Sequence, residues 1–161
     1  MTNFVLTSRR GFLALSGMGL VLAGCSTVGV LAPTPGATDE TAAALPLVNE
    51  LRKKNGLPAL ASVNPARKAA AIQAVRMAKA QEMQHLIGFG DSFLSRMKDS
   101  DVPLPAAENI AAGQNETERA VQAWIDSPKH LKNMLGSYRG LGVAVARAPD
   151  GRPYWSMILS S

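Results

Sequence analysis

The end of the chain constrains the fold most, because two apolar runs there are separated by a turn. Residues 141–145 and 154–159 are rich in aliphatic and aromatic side chains, as β-strands are. Between them, Ala148–Gly151 places proline and glycine where a β-turn needs them. The sequence therefore predicts an antiparallel hairpin at the C-terminal end.

Two long helices are predicted before this hairpin. The first spans residues 43–55 and carries an apolar stripe at helical spacing, namely Ala44, Leu47, Val48 and Leu51. The second begins with Asn64 as N-cap and Pro65 at its first position, and it extends to about Gln84. Its inward face is predicted to carry Ala71, Ile72, Val75 and Ala78. Because His85 follows Ala78 by seven residues, we expect His85 to face the core.

Shorter elements fill the rest of the chain. Residues 86–106 are predicted to be loop with one helical turn at 93–97, and residues 108–112 are predicted to be a strand. Asn115 and Glu118 have the spacing of a capping box, before a helix with Ala120, Val121 and Trp124 on its inner side. Ser127-Pro128 is typical of the start of a further short helix. Helices followed by a hairpin indicate an α+β fold.

Residues 1–25 have the composition of an export signal. Arg9-Arg10 precedes a short apolar stretch and resembles a twin-arginine (Tat) motif, although Sec export accepts paired arginines too. Leu22–Cys25 resembles a bacterial lipobox, in which the cysteine is lipidated and becomes the mature N-terminus. The alternative is a short buried helix with a core cysteine. We expect Cys25 to attach the protein to a membrane.

The lipobox predicts the organisation of the remaining chain. Residues 26–40 are predicted to be a flexible tether, because they contain Ser, Thr, Gly and Pro and few large apolar groups. Residues 41–161 are predicted to be the folded domain. The protein is expected to face an extracytoplasmic compartment, and Ser26 after the cysteine favours the outer membrane in a Gram-negative host.

Charge and cysteine content exclude some partners and chemistries. Without Arg9 and Arg10, the 17 basic residues become 15, against 12 acidic residues. The basic residues are scattered, which predicts no nucleic-acid partner. Cys25 is the only cysteine, so no intramolecular disulfide can form, and a lipidated thiol cannot be a nucleophile.

Several stretches of the body, taken in order, resemble the CAP superfamily (SCP/TAPS, the cysteine-rich secretory and pathogenesis-related type) in its short bacterial form. They are Leu47–Arg52 with Gly56–Leu60, Ala107–Ala111, Trp124 with Ser127–His130 and Asn133–Leu135, and Gly140–Val145 with Tyr154-Trp155. His85 follows the second helix, as the first histidine of the family does. The resemblance implies an α-β-α sandwich with a small central antiparallel sheet.

The resemblance also implies a cleft lined by two histidines and two acids. His85, Glu108 and His130 occupy three of these positions, and Ser127 stands where larger members have the second acid. Asp126 is one residue away, which on a helix turns a side chain by about 100°. The predicted ligand-binding cleft is therefore His85, Glu108, His130 and Ser127. Two imidazoles and a carboxylate suit a divalent metal such as zinc, and they equally suit acid–base chemistry or a hydrogen-bonded framework.

Three functions follow from these residues. The favoured one is an envelope-anchored binding module for a small ligand, a lipid or a peptidoglycan-related fragment. The others are a metal-assisted hydrolase that uses His85, Glu108 and His130, and a scaffold with a vestigial cleft. Ser127 is interpreted as an N-cap, because no Gly-X-Ser-X-Gly elbow surrounds it. The incomplete acid set favours binding over catalysis. Asn109 is predicted to be structural, and the predicted core residues are Trp124, Trp155 and Met157.

Overall fold

The computed structural model describes Met1 and residues 34–161. Its elements, in chain order, are β1 (Ala37–Asp39), α1 (Thr41–Lys54), β2 (Ala61–Ser62), α2 (Asn64–Ala80), α3 (Phe93–Asp99), β3 (Ala106–Ala112), α4 (Thr117–Ile125), α5 (Pro128–Met134), β4 (Gly140–Arg147) and β5 (Pro153–Ser160). The predicted signal segment, with its apolar stretch and Cys25, lies outside the described residues. No helix among the described residues is both long and apolar enough to cross a membrane.

The predicted C-terminal hairpin forms the centre of the sheet. β4 and β5 pair antiparallel from Gly140 opposite Ser160 to Arg147 opposite Pro153. β3 pairs antiparallel with the other edge of β5, and β1 pairs antiparallel with β4, which gives the order β1-β4-β5-β3. The two-residue β2 pairs parallel with the first residues of β4. The α+β prediction and its antiparallel hairpin are confirmed.

Alternating side chains on the sheet build a core on each of its faces. On β5, Tyr154 and Ile158 pack in the core formed with α2 and Met97 of α3. Trp155, Met157 and Leu159 pack in the opposite core, which includes side chains from α1, α4 and α5. The sheet therefore lies between two helical layers, which confirms the predicted α-β-α sandwich.

Helix α2 rests directly on the backbone of β4. A Cβ atom at Gly142 would lie 2.2 Å from the carbonyl carbon of Ala66 and from the amide nitrogen of Arg67. The buried side of α2 consists largely of alanine, together with Met77 and Gln73. Small side chains on both elements thus allow the helix and the strand to approach closely.

The prediction that residues 26–40 form a flexible tether is wrong for the last residues of that range. Ala37–Asp39 form β1, with Ala37 opposite Ala146 of β4. The Asp39 carboxylate accepts a hydrogen bond from the amide of Thr41, and the Arg67 side chain binds it as well. A three-residue edge strand has too little pattern to be predicted locally, because its pairing depends on β4. The folded body therefore begins at least four residues before residue 41.

Helix α2 ends earlier than predicted, at Ala80 rather than near Gln84. Gln81 follows in the left-handed conformation, with φ of 57°, so the chain turns away without a glycine. The buried face is centred on Ala66, Ala70, Ala74 and Met77, while Ile72 and Val75 are only half-buried. The helical periodicity therefore does not extend to His85, and the expectation that His85 faces the core is wrong.

The helix caps differ in part from the prediction. Helix α4 begins at Thr117 with Glu116 in the N-cap position, so the capping box at Asn115 and Glu118 is wrong. Ser127 does occupy the N-cap position of α5, as predicted, but its side chain makes no capping hydrogen bond. The helical turn predicted at 93–97 is confirmed as α3.

Candidate functional site

A buried carboxylate at the edge strand β3 is the centre of the candidate site. Glu108 lies opposite Ile158 of β5, and its side chain is only 2 % exposed. Arg96 of α3 donates to both carboxylate oxygens, with Nη1 2.9 Å from Oε2 and Nη2 3.2 Å from Oε1. Such a bidentate pair is among the stronger hydrogen-bonded arrangements in proteins.

His85 is the exposed partner of this carboxylate. Its Nδ1 lies 2.9 Å from Oε1 of Glu108, and its side chain is 51 % exposed. A carboxylate only accepts hydrogen bonds, so Nδ1 carries the proton and Nε2 of the neutral ring is left as an acceptor. The His85 carbonyl also accepts from Arg96, at 2.8 Å, and from Gln73, at 3.2 Å. The same arginine therefore fixes both His85 and the carboxylate that orients it.

A second carboxylate holds Arg96 from behind. Asp91 pairs with Arg76 and Arg96 and accepts a hydrogen bond from the Ile87 amide. Burial alone would raise the pKa of the Asp91 carboxyl, but the hydrogen bonds from Arg76 and Ile87 and the charges of both arginines lower it. Two carboxylates thus flank Arg96 and compensate its charge.

His130 is placed from the opposite face of β3. Its carbonyl accepts a hydrogen bond from Nδ2 of the fully buried Asn109 at 3.0 Å, and Asn133 donates to the other end of that amide at 2.9 Å. Burial and the charge of His85 both lower the pKa of His130. Both effects favour the neutral form of the His130 ring.

Residues 45–159 match the sequence profile of the cysteine-rich secretory protein family, CAP. The chain belongs to this family. The predicted resemblance is thereby confirmed over most of the described chain. No curated protein matches the chain significantly.

Solved structures show the same fold. An outer surface protein of Borrelia burgdorferi is 22 % identical with a TM-score of 0.67, covering 76 % of this chain and 92 % of the other. An extracellular Bacillus anthracis protein with an SCP domain is 26 % identical, with a TM-score of 0.65 and coverage of 74 % and 39 %. A cysteine-rich secretory protein of Staphylococcus aureus is 21 % identical, with a TM-score of 0.58 and coverage of 75 % and 38 %. The chain thus spans less than half of the latter two proteins.

The CAP domain brings together some of the predicted site residues. His85 and Glu108 are in direct contact, and the charge of His85 contributes to the lowered pKa of His130. Among the described residues, no hydrogen bond joins the Ser127 side chain to His85, Glu108 or His130. The place of Ser127 in the cleft therefore stays a prediction. Asp126 accepts from Gln122 on α4 and lines a separate cavity of about 570 Å³.

A metal at this site stays a prediction. Within residues 34–161, no three His, Cys, Asp or Glu side chains are grouped so that they could hold a metal ion. Both oxygens of Glu108 are already bound, by Arg96 and by His85. The carboxylate thus orients His85 in this arrangement. A zinc site formed by His85, His130 and Glu108 would require Glu108 to exchange partners.

Sequence reasoning missed the residues that organise the site. Asp91 and Arg96 lie in the segment predicted to be loop-rich, and Gln73 and Arg76 lie on α2. One signal was available: a lone glutamate in an apolar strand needs a cationic partner when it is buried. The identity of that partner depends on the packing of α3 against β3, which no local pattern encodes.

The predicted structural residues do form the framework. Trp155 and Met157 are buried, and Trp124 is 1 % exposed with its Nε1 donating to the Ile110 carbonyl at 3.0 Å. Asn109 joins β3 to α5 through its hydrogen bonds with His130 and Asn133. Arg52 is a further framework residue that was not predicted: it is 1 % exposed and donates to the carbonyls of Pro58, Met134 and Gly136. Burial lowers the pKa of Arg52.

Proposed function

We propose that this CAP protein is an exported, lipid-anchored binding module whose ligand contacts His85 and His130. The observation that carries the proposal is the exposed His85 ring, oriented by a buried carboxylate that Arg96 clamps on both oxygens. Holding a buried ion pair beneath one exposed imidazole fixes the direction of a hydrogen-bonding group. Such fixed groups are what ligand sites use for specificity.

The chemistry of the two imidazoles suits a ligand with hydroxyl, amide or anionic groups. The free Nε2 of neutral His85 accepts a hydrogen bond, and the same atom donates when the ring is protonated. Burial and the charge of His85 lower the pKa of His130, which favours the neutral ring. Peptidoglycan-related fragments, lipid headgroups and small polar molecules all carry such groups, and these are the ligand classes that we propose.

The two competing functions are less well supported. A scaffold with a vestigial cleft has no need for an exposed imidazole, yet half of the His85 side chain is open to solvent. A metal-assisted hydrolase that uses Glu108 as a ligand must first break the contacts of Glu108 with Arg96 and His85. Binding therefore requires the fewest changes to the observed contacts.

Binding is tested with protein purified from its own host and examined by native mass spectrometry. We expect a co-purifying molecule in the full chain, with loss of that molecule in His85→Ala. Calorimetry with muropeptides and with short-chain phosphatidylglycerol identifies the class. Lys132→Ala is the matched control, because Lys132 is exposed on α5 near His130. An equal ligand content in all three proteins would place the ligand elsewhere. No ligand in the parent, and no heat with either probe, would refute the proposal.

Membrane attachment rests on the signal segment and on the relatives. The Borrelia relative is described as an outer surface protein and the Bacillus relative as extracellular, which supports export of this chain. Cys25→Ser should release the protein from the membrane fraction or leave an unprocessed precursor. Normal processing and membrane content in Cys25→Ser would refute attachment there. If the double variant Arg9→Lys, Arg10→Lys is processed normally, the protein is exported by the Sec route.

A further inference from the structure

Exposed apolar side chains are concentrated on one segment beside the candidate site. Met83, Leu86 and Leu94 are each at least half exposed, and Phe89 is fully exposed. Residues Met83–Leu94, which we call the apolar loop, comprise most of the connection between α2 and α3 and the first two residues of α3. Among residues 34–161, the one large hydrophobic side chain exposed to this degree elsewhere is Leu104. Large apolar side chains exposed together within one short segment favour an interaction site there.

The apolar loop is held in a fixed shape. Gln73 donates to the Gln84 carbonyl at 2.9 Å, and Arg76 donates to the Ile87 carbonyl at 2.8 Å. The Asp91 carboxylate accepts from the Ile87 amide at 2.7 Å, which closes the loop. These hydrogen bonds lie on either side of Phe89, so the backbone around the exposed ring is tied to α2.

Phe89 forms the tip of the loop. Gly88 and Gly90 have φ values of 85° and 77°, a conformation that residues with a side chain rarely adopt. A Cβ atom at either glycine would meet nothing within 4 Å, so the glycines serve the turn and not close packing. The turn leaves the phenylalanine ring in solvent.

The chain enters the domain beside the same helix that holds the loop. Pro35 and Gly36 line a cavity of about 390 Å³ with Val75, Ala78 and Lys79 of α2. Nine peptide steps separate Cys25 from Thr34, and they span at most about 30 Å. The domain itself has a radius of gyration of about 14 Å. A lipid on Cys25 would therefore hold the side of the domain that carries Pro35 and the C-terminal half of α2 within about 30 Å of the membrane surface.

We propose that the apolar loop docks on the lipid bilayer, with Phe89 at the boundary between headgroups and acyl chains. This rests on the lipid anchoring in the proposed function. Aromatic side chains favour that boundary. Lys79 and Arg147 line the cavity beside the chain entry and supply cations for phosphate headgroups. Asp91 is already paired with two arginines, which leaves Glu82 as the one exposed acid between Lys79 and Lys98.

The test uses the full lipidated chain in vesicles of phosphatidylcholine and phosphatidylglycerol, with and without brominated acyl chains. Phe89→Trp places a fluorophore at the tip, and both native tryptophans are buried. Leu104→Trp is the matched control, at an exposed apolar position outside the loop. We expect the added emission to shift to shorter wavelength and to be lost with brominated lipid for Phe89→Trp. Leu104→Trp should show neither change.

Each other outcome overturns the inference. If the chain floats with the vesicles but Phe89→Trp is not quenched, anchoring stands and the docking is refuted. If the chain does not float, both the anchoring and the docking are refuted. Equal quenching at both positions would show contact without the orientation inferred here. A blue shift of Phe89→Trp without vesicles would assign the loop to a second copy of the chain.

Discussion

Replacing Arg96 by methionine should destabilise this protein strongly. The change removes two hydrogen bonds to Glu108 and one to the His85 carbonyl. Asp91 keeps its pair with Arg76, so the loss falls on Glu108, which is 2 % exposed. Removing one partner of a buried ion pair costs about 3–5 kcal/mol, because the other charge stays buried without compensation.

That cost is large for one domain. The free energy of unfolding of a natural domain is about 5–15 kcal/mol. At roughly 4 °C per kcal/mol for a domain of this length, the melting temperature should fall by about 12–20 °C. Urea unfolding followed by circular dichroism measures the free energy of unfolding directly. Arg119→Met is the matched control, because the Arg119–Glu116 pair is exposed and should contribute less than about 1 kcal/mol.

A double-mutant cycle separates the interaction free energy of the Arg96–Glu108 pair from the effect of losing either side chain alone. Glu108→Leu removes the buried charge and leaves Arg96 paired with Asp91, so the double variant should be more stable than the two single losses predict. We expect a coupling free energy of about 1–3 kcal/mol, as contacting residues show. Additivity within about 0.5 kcal/mol would refute the role assigned to Arg96.

Three further predictions concern the framework and its titration. Trp124→Ala should cost about 3–5 kcal/mol or prevent folding, because the ring is buried and its Nε1 donates to Ile110; normal stability by urea unfolding would contradict this. Gly142→Ala should lower the melting temperature, because its Cβ would collide with the backbone at Ala66, and scanning calorimetry would detect it. The pKa of His130 is lowered in the folded protein, so the unfolded chain binds a proton at this ring more readily than the folded chain does. The free energy of unfolding should therefore fall as the pH drops below about 6.5. His130→Asn should reduce this fall.

Local patterns predicted the elements whose signals lie within a few residues. The β4–β5 hairpin carries its own turn chemistry, and α1 begins within two residues of its predicted start. The end of α2 was missed because Gln81, and not a glycine, adopts the left-handed conformation. β1 and β2 were missed because strands of two or three residues are defined by the neighbouring β4.

The candidate site was only partly predictable. The resemblance selected His85, Glu108 and His130, and the fold brings the first two into contact. It did not select Arg96, because the partner of a buried carboxylate is chosen by packing between α3 and β3. Periodicity placed His85 toward the core, whereas the loop after Gln81 leaves it half exposed. Long-range contacts therefore decide the chemistry of this site.

Nitrogen NMR of the two histidine rings, the only ones in the chain, measures most directly whether Glu108 orients His85 toward a ligand. The contact of Nδ1 with Glu108 predicts that neutral His85 carries its proton on Nδ1 and that Glu108→Gln weakens this preference. Addition of the ligand found by mass spectrometry should then shift the Nε2 signal of His85. A proton on Nε2 in the ligand-free protein, with no shift on addition of the ligand, would contradict this orientation.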